Sequence, residues 1–116
     1  MSDYEVLYYP AADDDMAALD SSKRKLVIKA LEKVKANPLP QTRGGYGKPL
    51  GNKAGLNLTG YLKIKLRGSG IRIVYRLVES KGKMAVVIVG AREDNEVYKI
   101  AAKRAADFEA WLNGKL

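Results

Sequence analysis

Two neighbouring stretches of the chain alternate strictly between apolar and polar positions. From Tyr61 to Arg67, Leu62, Ile64 and Leu66 fall on one face and Tyr61, Lys63, Lys65 and Arg67 on the other. From Ile71 to Glu79 the alternation resumes, with Ile71, Ile73, Tyr75 and Leu77 against Arg72, Val74, Arg76 and Val78. Gly68-Ser69-Gly70 between them is a turn signal, so the two runs predict an antiparallel hairpin. A two-residue turn at Ser69-Gly70 would pair Arg67 with Arg72, Lys65 with Val74 and Lys63 with Arg76, keeping both apolar sets on one side. Met84 to Val89 is almost wholly apolar, the pattern of a strand covered on both faces. Tyr4 to Tyr9 is rich in β-formers and stops at Pro10, which predicts a further strand leading into a short helix.

Helical periodicity accounts for the rest. Between Ser22 and Ala36, Leu26, Val27, Ala30, Leu31 and Val34 recur at helix spacing, and Asn37-Pro38-Leu39-Pro40 ends the helix. Asp13, Asp14 and Asp15 fall near the start of the preceding helix, where carboxylates favour the positive end of the dipole; helix spacing fans them around the axis, which argues against a metal site. The last helix, capped by Asp94 or Asn95, carries Val97, Ile100, Ala101, Ala105, Phe108, Trp111 and Leu112, with core favoured over a partner contact for the last three aromatic and apolar residues. Gln41 to Thr59, rich in glycine, reads as a long basic loop. Its Gly47-Lys48 is not a phosphate loop, since Thr42 stands where the first glycine is required and Pro49 follows the lysine. The order β-α-α-β-β-β-α predicts an α+β fold over residues 1–116 as one domain: a small, mainly antiparallel sheet, a helical hairpin and a C-terminal helix.

Charge changes this picture. The 116 residues carry a net charge of +8. Eleven basic and four acidic residues lie between Tyr61 and Arg104, so seven of the eight net charges belong to that stretch. The sequence holds no histidine and no cysteine. That excludes thiolate zinc sites, disulfides and every Ser-His or Cys-His arrangement, and leaves Lys, Arg, Tyr and carboxylates for any chemistry. No apolar run approaches the ~20 residues needed to span a bilayer. The start, Met1-Ser2-Asp3-Tyr4-Glu5, is acidic and unlike a signal peptide, so the expectation is a cytoplasmic protein.

One polar hairpin face therefore gathers Lys63, Lys65, Arg67, Arg72 and Arg76, although like charges opposed across strands destabilise a sheet. Such a face suits a phosphate, where cations surround the charge that grows in a pentacoordinate transition state. Arg92, just after the apolar strand, and Tyr98, one turn into the last helix, would sit beside it. Basic residues on the open face of a sheet are also often merely solvated, and spacing alone does not separate the two readings.

The run Tyr61-Leu62-Lys63-Ile64-Lys65-Leu66-Arg67-Gly68-Ser69-Gly70-Ile71-Arg72-Ile73-Val74-Tyr75 resembles the central hairpin of the RelE family of toxins. Val89-Gly90-Ala91-Arg92-Glu93-Asp94-Asn95-Glu96-Val97-Tyr98 is similar to the family's next signature, and Gly47-Lys48-Pro49-Leu50 and the element order fit as well. The resemblance implies a toxin of a type II toxin–antitoxin system: an mRNA endonuclease working in the decoding site of the ribosome, restrained by a cognate antitoxin, without cofactor or metal. The RNA 2′-hydroxyl would attack the adjacent phosphate, leaving a 2′,3′-cyclic phosphate and a 5′-hydroxyl. By motif position Lys65 would be the general base and Lys63 a stabiliser of the phosphorane. Arg72 would hold the phosphate, Arg92 would assist the leaving oxygen, Tyr98 would stack on a base, and Arg67 would add a phosphate contact. An ordinary lysine titrates near ~10.4, so a lysine base requires positive neighbours, and Lys63, Arg67 and Arg72 would supply them. Ala91 departs from the family, whose members often carry a second basic residue there. Two alternatives stay open: a non-catalytic toxin of the ParE branch acting on DNA gyrase, which generally lacks the Lys-x-Lys and Arg…Tyr set, and an inactive RNA-binding relative.

Overall fold

A computed structural model describes residues 3–53 and 55–116. Met1 and Ser2 of the acidic N-terminus, and Ala54 of the expected loop, lie outside the described residues. The first strand, β1 (Glu5–Tyr8), leads into α1 (Pro10–Ala18), whose first helical position is the proline, and then α2 (Ser21–Val34). The turn between the helices is fixed from both sides. Asp20 caps α2 by accepting from the Lys23 amide at 2.9 Å. The Arg24 guanidinium donates back to the carbonyls of Met16, Ala17 and Leu19 at the end of α1. Four more strands follow: β2 (Lys48–Lys53), β3 (Leu56–Leu66), β4 (Ile71–Val78) and β5 (Lys83–Gly90), with α3 (Asp94–Lys115) closing the chain. The sheet order is β1-β5-β4-β3-β2, with only the β1–β5 pair parallel.

The α+β architecture is the expected one, with one strand more. Gln41 to Thr59 is not a long loop: it holds a 3-10 turn (Gln41–Arg43), all of β2 and the first residues of β3. The glycine and proline content of β2 hides it from propensity, and the strand is held by its ladder with β3. The hairpin register also differs from expectation. Leu66 faces Ile71 and Lys65 faces Arg72, so Lys63 lies opposite Val74 and Tyr61 opposite Arg76. Four residues, Arg67 to Gly70, make the turn instead of two. Gly68 and Gly70 take positive φ, and the Ser69 hydroxyl bridges the Leu66 carbonyl and the Ile71 amide.

Both sheet faces are covered. One core joins α1 and α2 to Ile71, Ile73, Tyr75, Met84 and Val86 through Ala12, Val27, Leu31 and Val34. Leu26, expected on this face, is 48% exposed, because Val27, Leu31 and Val34 set the buried stripe and Leu26 lies a quarter-turn away. The other core joins α3, through Val97, Ala101, Phe108 and Leu112, to Leu58, Tyr61, Val74 and Val87. A bulge in the β4–β5 pairing at Val74 and Tyr75 lets Val87 and Ile88 both enter this second core. The hairpin face that carries the lysines and arginines is thus roofed by α3 over Tyr61 and Val74. Among the described residues no helix is long and apolar enough to cross a membrane.

Candidate nucleic-acid interface

The open end of that roofed face lies where α3 begins. Lys63 on β3 and Arg72 on β4, each only 8% exposed, converge on Asp94. The Arg72 Nε donates to one carboxylate oxygen, and the Lys63 Nζ lies 3.5 Å from the other. Arg72 Nη1 donates to the carbonyls of Gly70 at 2.8 Å and Arg92 at 2.6 Å, so one guanidinium ties the hairpin turn to the β5–α3 connection. Burial pushes the Asp94 carboxyl upward, but the hydrogen bond from Arg72 and the charges of Lys63 and Arg72 outweigh it and hold the group below its ordinary value. Asp94 does not cap α3. Glu93 is the cap position, without a side-chain hydrogen bond, and Asp94 as the first helical residue turns to the sheet instead.

The other expected residues are placed unevenly. Lys65 lies directly across the strands from Arg72 and is exposed, as is Arg67. The Arg92 side chain is 60% exposed, 3.8 Å from Glu96. Tyr98 is buried, its ring centre 5.5 Å from the Lys63 ammonium, which stands where a base would stack. Arg76 belongs to a different cluster: it donates to Glu109 of α3 at 2.6 Å, and the Tyr61 hydroxyl donates to the same oxygen at 2.5 Å. Burial and that carboxylate push the Tyr61 phenol up. Lys63, Lys65 and Arg67 also line an open groove of about 600 Å³ at the edge of β3, whose walls do not include Arg72, Arg92 or Tyr98.

Chemically, the end of the sheet offers two nearly buried cations already converging on one anionic group, an exposed lysine opposite one of them, and nearby an exposed arginine whose one carboxylate neighbour, Glu96, is itself open to solvent. Asp94 escaped sequence reasoning because its partner Arg72 lies 22 residues away. Its place two residues after Arg92 in the signature was the available signal. Of the three adjacent aspartates, Asp15 serves structure: it accepts from Arg104 at 2.7 Å and from the Val89 amide at 3.1 Å, joining α1, β5 and α3, while Asp13 and Asp14 are exposed. Among the described residues no group of three or more side chains is disposed to hold a metal.

No family model matches the chain. The mRNA interferase toxin RelE of Escherichia coli K12 is 52% identical to it over 42 residues, which is 36% of this chain and 44% of that protein, so the alignment spans less than half of the curated relative. The free state of an Escherichia coli RelE variant with two arginines replaced by alanine superposes with a TM-score of 0.67, at 30% identity over 89% of this chain and 98% of that one. The toxin in the intact Escherichia coli RelBE toxin–antitoxin complex gives 0.59, at 29% identity over 78% of this chain and 98% of that one. With nearly the whole of a solved RelE covered at that identity, and with both signature segments meeting at one end of the sheet, the chain belongs to the RelE toxin family.

Proposed function

We propose that the chain is the toxin of a type II toxin–antitoxin pair and cuts mRNA on the ribosome, in the cytoplasm, by attack of the RNA 2′-hydroxyl on the adjacent phosphate. One observation carries the reading: Lys63 and Arg72 point at a single anionic group, with Lys65 across the strand from Arg72. In the active complex the scissile phosphate takes the place of the Asp94 carboxylate between them. Lys65 receives the 2′-hydroxyl proton as the O2′–P bond forms. Lys63 and Arg72 balance the added negative charge of the phosphorane. The P–O5′ bond then breaks toward Arg92, whose guanidinium donates a hydrogen bond to the leaving oxygen while solvent supplies the proton. The products are a 2′,3′-cyclic phosphate and a 5′-hydroxyl. Side-chain cations carry the charge at every step, so the reaction as drawn calls for no metal or cofactor.

Arg67, Tyr98 and Arg76 stand differently toward the phosphate. Arg67 is open to solvent and adds a phosphate contact beside Lys65. Tyr98 reaches a base only when Lys63 swings toward the phosphate, and until then its ring supports the Lys63 ammonium. Arg76, held by Glu109, contributes through the long-range field and not by direct contact. A cognate antitoxin as partner is supported by the RelE structures solved with an antitoxin.

The test is mapping of mRNA ends in a translating extract. Wild-type protein is expected to cut within codons, and Lys65→Ala or Arg92→Ala to slow cutting by at least about tenfold, the scale of losing a catalytic acid or base. Intact mRNA in the presence of folded wild-type protein would remove the reading.

A further inference from the structure

The cations on and beside the sheet differ in whether a carboxylate meets them. Lys63, Arg72, Arg76 and Arg104 each meet a carboxylate. Lys33, Lys48, Lys65 and Arg67 form no ion pair among the described residues, and all four line the one groove at the edge of β3, with Tyr46 between them. The groove exists because β2 stops pairing at Lys48 and Lys63, leaving the outer edge of Ile64 to Arg67 without a strand neighbour. The last turn of α2 supplies the opposite wall and brings the Lys33 ammonium to 5.3 Å from the ring centre of Tyr46, itself 43% exposed.

No carboxylate lines this hollow. Lys33 is favourably placed at the C-terminal end of α2, which accounts for one charge and leaves the other three. Like charges gathered around a concave surface repel one another and focus a positive potential into it, an arrangement that suits an anion arriving from outside. Because Lys63 and Lys65 line the groove and also belong to the candidate catalytic end, the two sites share a wall.

We infer that the groove is a second RNA-backbone subsite, in which Lys33 and Lys48 hold phosphates of the same strand that is cut beside Lys65, and the exposed ring of Tyr46 stacks on an unpaired base. The nature of the ligand rests on the RNA-cleaving reading; the existence of an unpaired cationic groove does not. Backbone contacts of this kind position a strand without reading its sequence, and an aromatic platform accepts any base.

The test uses 2′-O-methyl oligonucleotides, which lack the attacking hydroxyl, of about 4 and about 12 nucleotides, within the span that single-strand sites cover. Binding is followed by fluorescence anisotropy across a salt series. The Lys33→Ala/Lys48→Ala double variant is expected to bind the longer strand more weakly, with a log–log salt slope shallower by about 1.4, or about 0.7 for each phosphate released, and to bind the shorter strand like wild type. Tyr46→Ala weakens the longer strand without changing the slope, and Lys33→Arg/Lys48→Arg restores wild-type behaviour, which separates lost charge from lost fold. An unchanged slope on the longer strand overturns the inference. So does a loss confined to vacant ribosomes, which would make ribosomal RNA the occupant, or a loss confined to an acidic peptide. If wild type leaves mRNA intact in the extract yet the slopes split as described, the nuclease reading falls and the groove stands; cutting without a split in slopes gives the reverse.

Discussion

Asp94 brings Lys63 and Arg72 together by occupying the directions in which they would hold a phosphate. Its effects on stability and on anion binding therefore have opposite signs. Asp94→Asn leaves two nearly buried cations without a counter-charge, and with the carboxylate 41% exposed the loss is discounted for solvent to about 1 kcal/mol. The same change opens the pair to phosphate, so the rise in melting temperature from chloride to phosphate buffer should be larger in the variant than in wild type. pH supplies an independent check. The folded carboxyl is held below its ordinary 3.8, so its contribution is complete above that value and disappears as pH falls through the lower folded value. Melting temperature should accordingly fall more steeply below about pH 4 in wild type than in Asp94→Asn. Equal slopes in acid, or equal responses to phosphate, would show that the carboxylate is a bystander.

At the scale of elements, the segment before β2 is anchored to β4 by one buried contact. The Tyr75 hydroxyl donates to the Pro38 carbonyl at 2.6 Å, and burial pushes the phenol up from its ordinary value. Gly47 packs against the same group: a Cβ there would lie 2.2 Å from the Tyr75 hydroxyl and 3.1 Å from the Leu62 Cβ. Tyr75→Phe should cost about 1–2 kcal/mol in urea unfolding, because the Pro38 carbonyl loses its donor. Gly47→Ala should cost more, through overpacking. The double variant should lose less than the sum, since the hydroxyl that the new methyl meets is gone; strict additivity would mean that the two residues do not share this contact. The sequence could not disclose the contact, as Tyr75 and Pro38 are 37 residues apart, but it did disclose which way Tyr75 points. Strand faces are readable because side chains alternate with period two, and turns of two and four residues leave that alternation intact. The faces of β3 and β4 were therefore legible while their register was not. For β2 even the element was hidden, because Lys-Pro-Leu-Gly-Asn-Lys carries no alternation and is a strand by virtue of its neighbour.

Across the whole molecule, α3 divides the cations. Its carboxylates Asp94 and Glu109 take up Lys63, Arg72 and Arg76, and its own Arg104 is taken up by Asp15 of α1, while the edge of β3 beyond its reach keeps unpaired charge. Seven of the eight net charges were readable as a concentration between Tyr61 and Arg104, but sequence could not say which would be neutralised, since each partner comes from a distant element. Arg104 separates scaffold from site. It binds both oxygens of Asp15 and the Val87 carbonyl, and it lies ten residues along α3 from Asp94, about 15 Å at 1.5 Å per residue. Arg104→Met keeps the aliphatic stem but strands a mostly buried carboxylate, and should lower the free energy of unfolding by about 2–4 kcal/mol. Asp15→Asn/Arg104→Met should recover part of that loss, because no charge is then left without its partner. Neither change reaches Lys63, Arg72 or the groove, so the rate of mRNA cutting per folded molecule should stay at the wild-type level. A slowed rate at full folding would mean that the tie under β5 sets the position of the α3 N-terminus, and with it Asp94, as well as the stability of the fold.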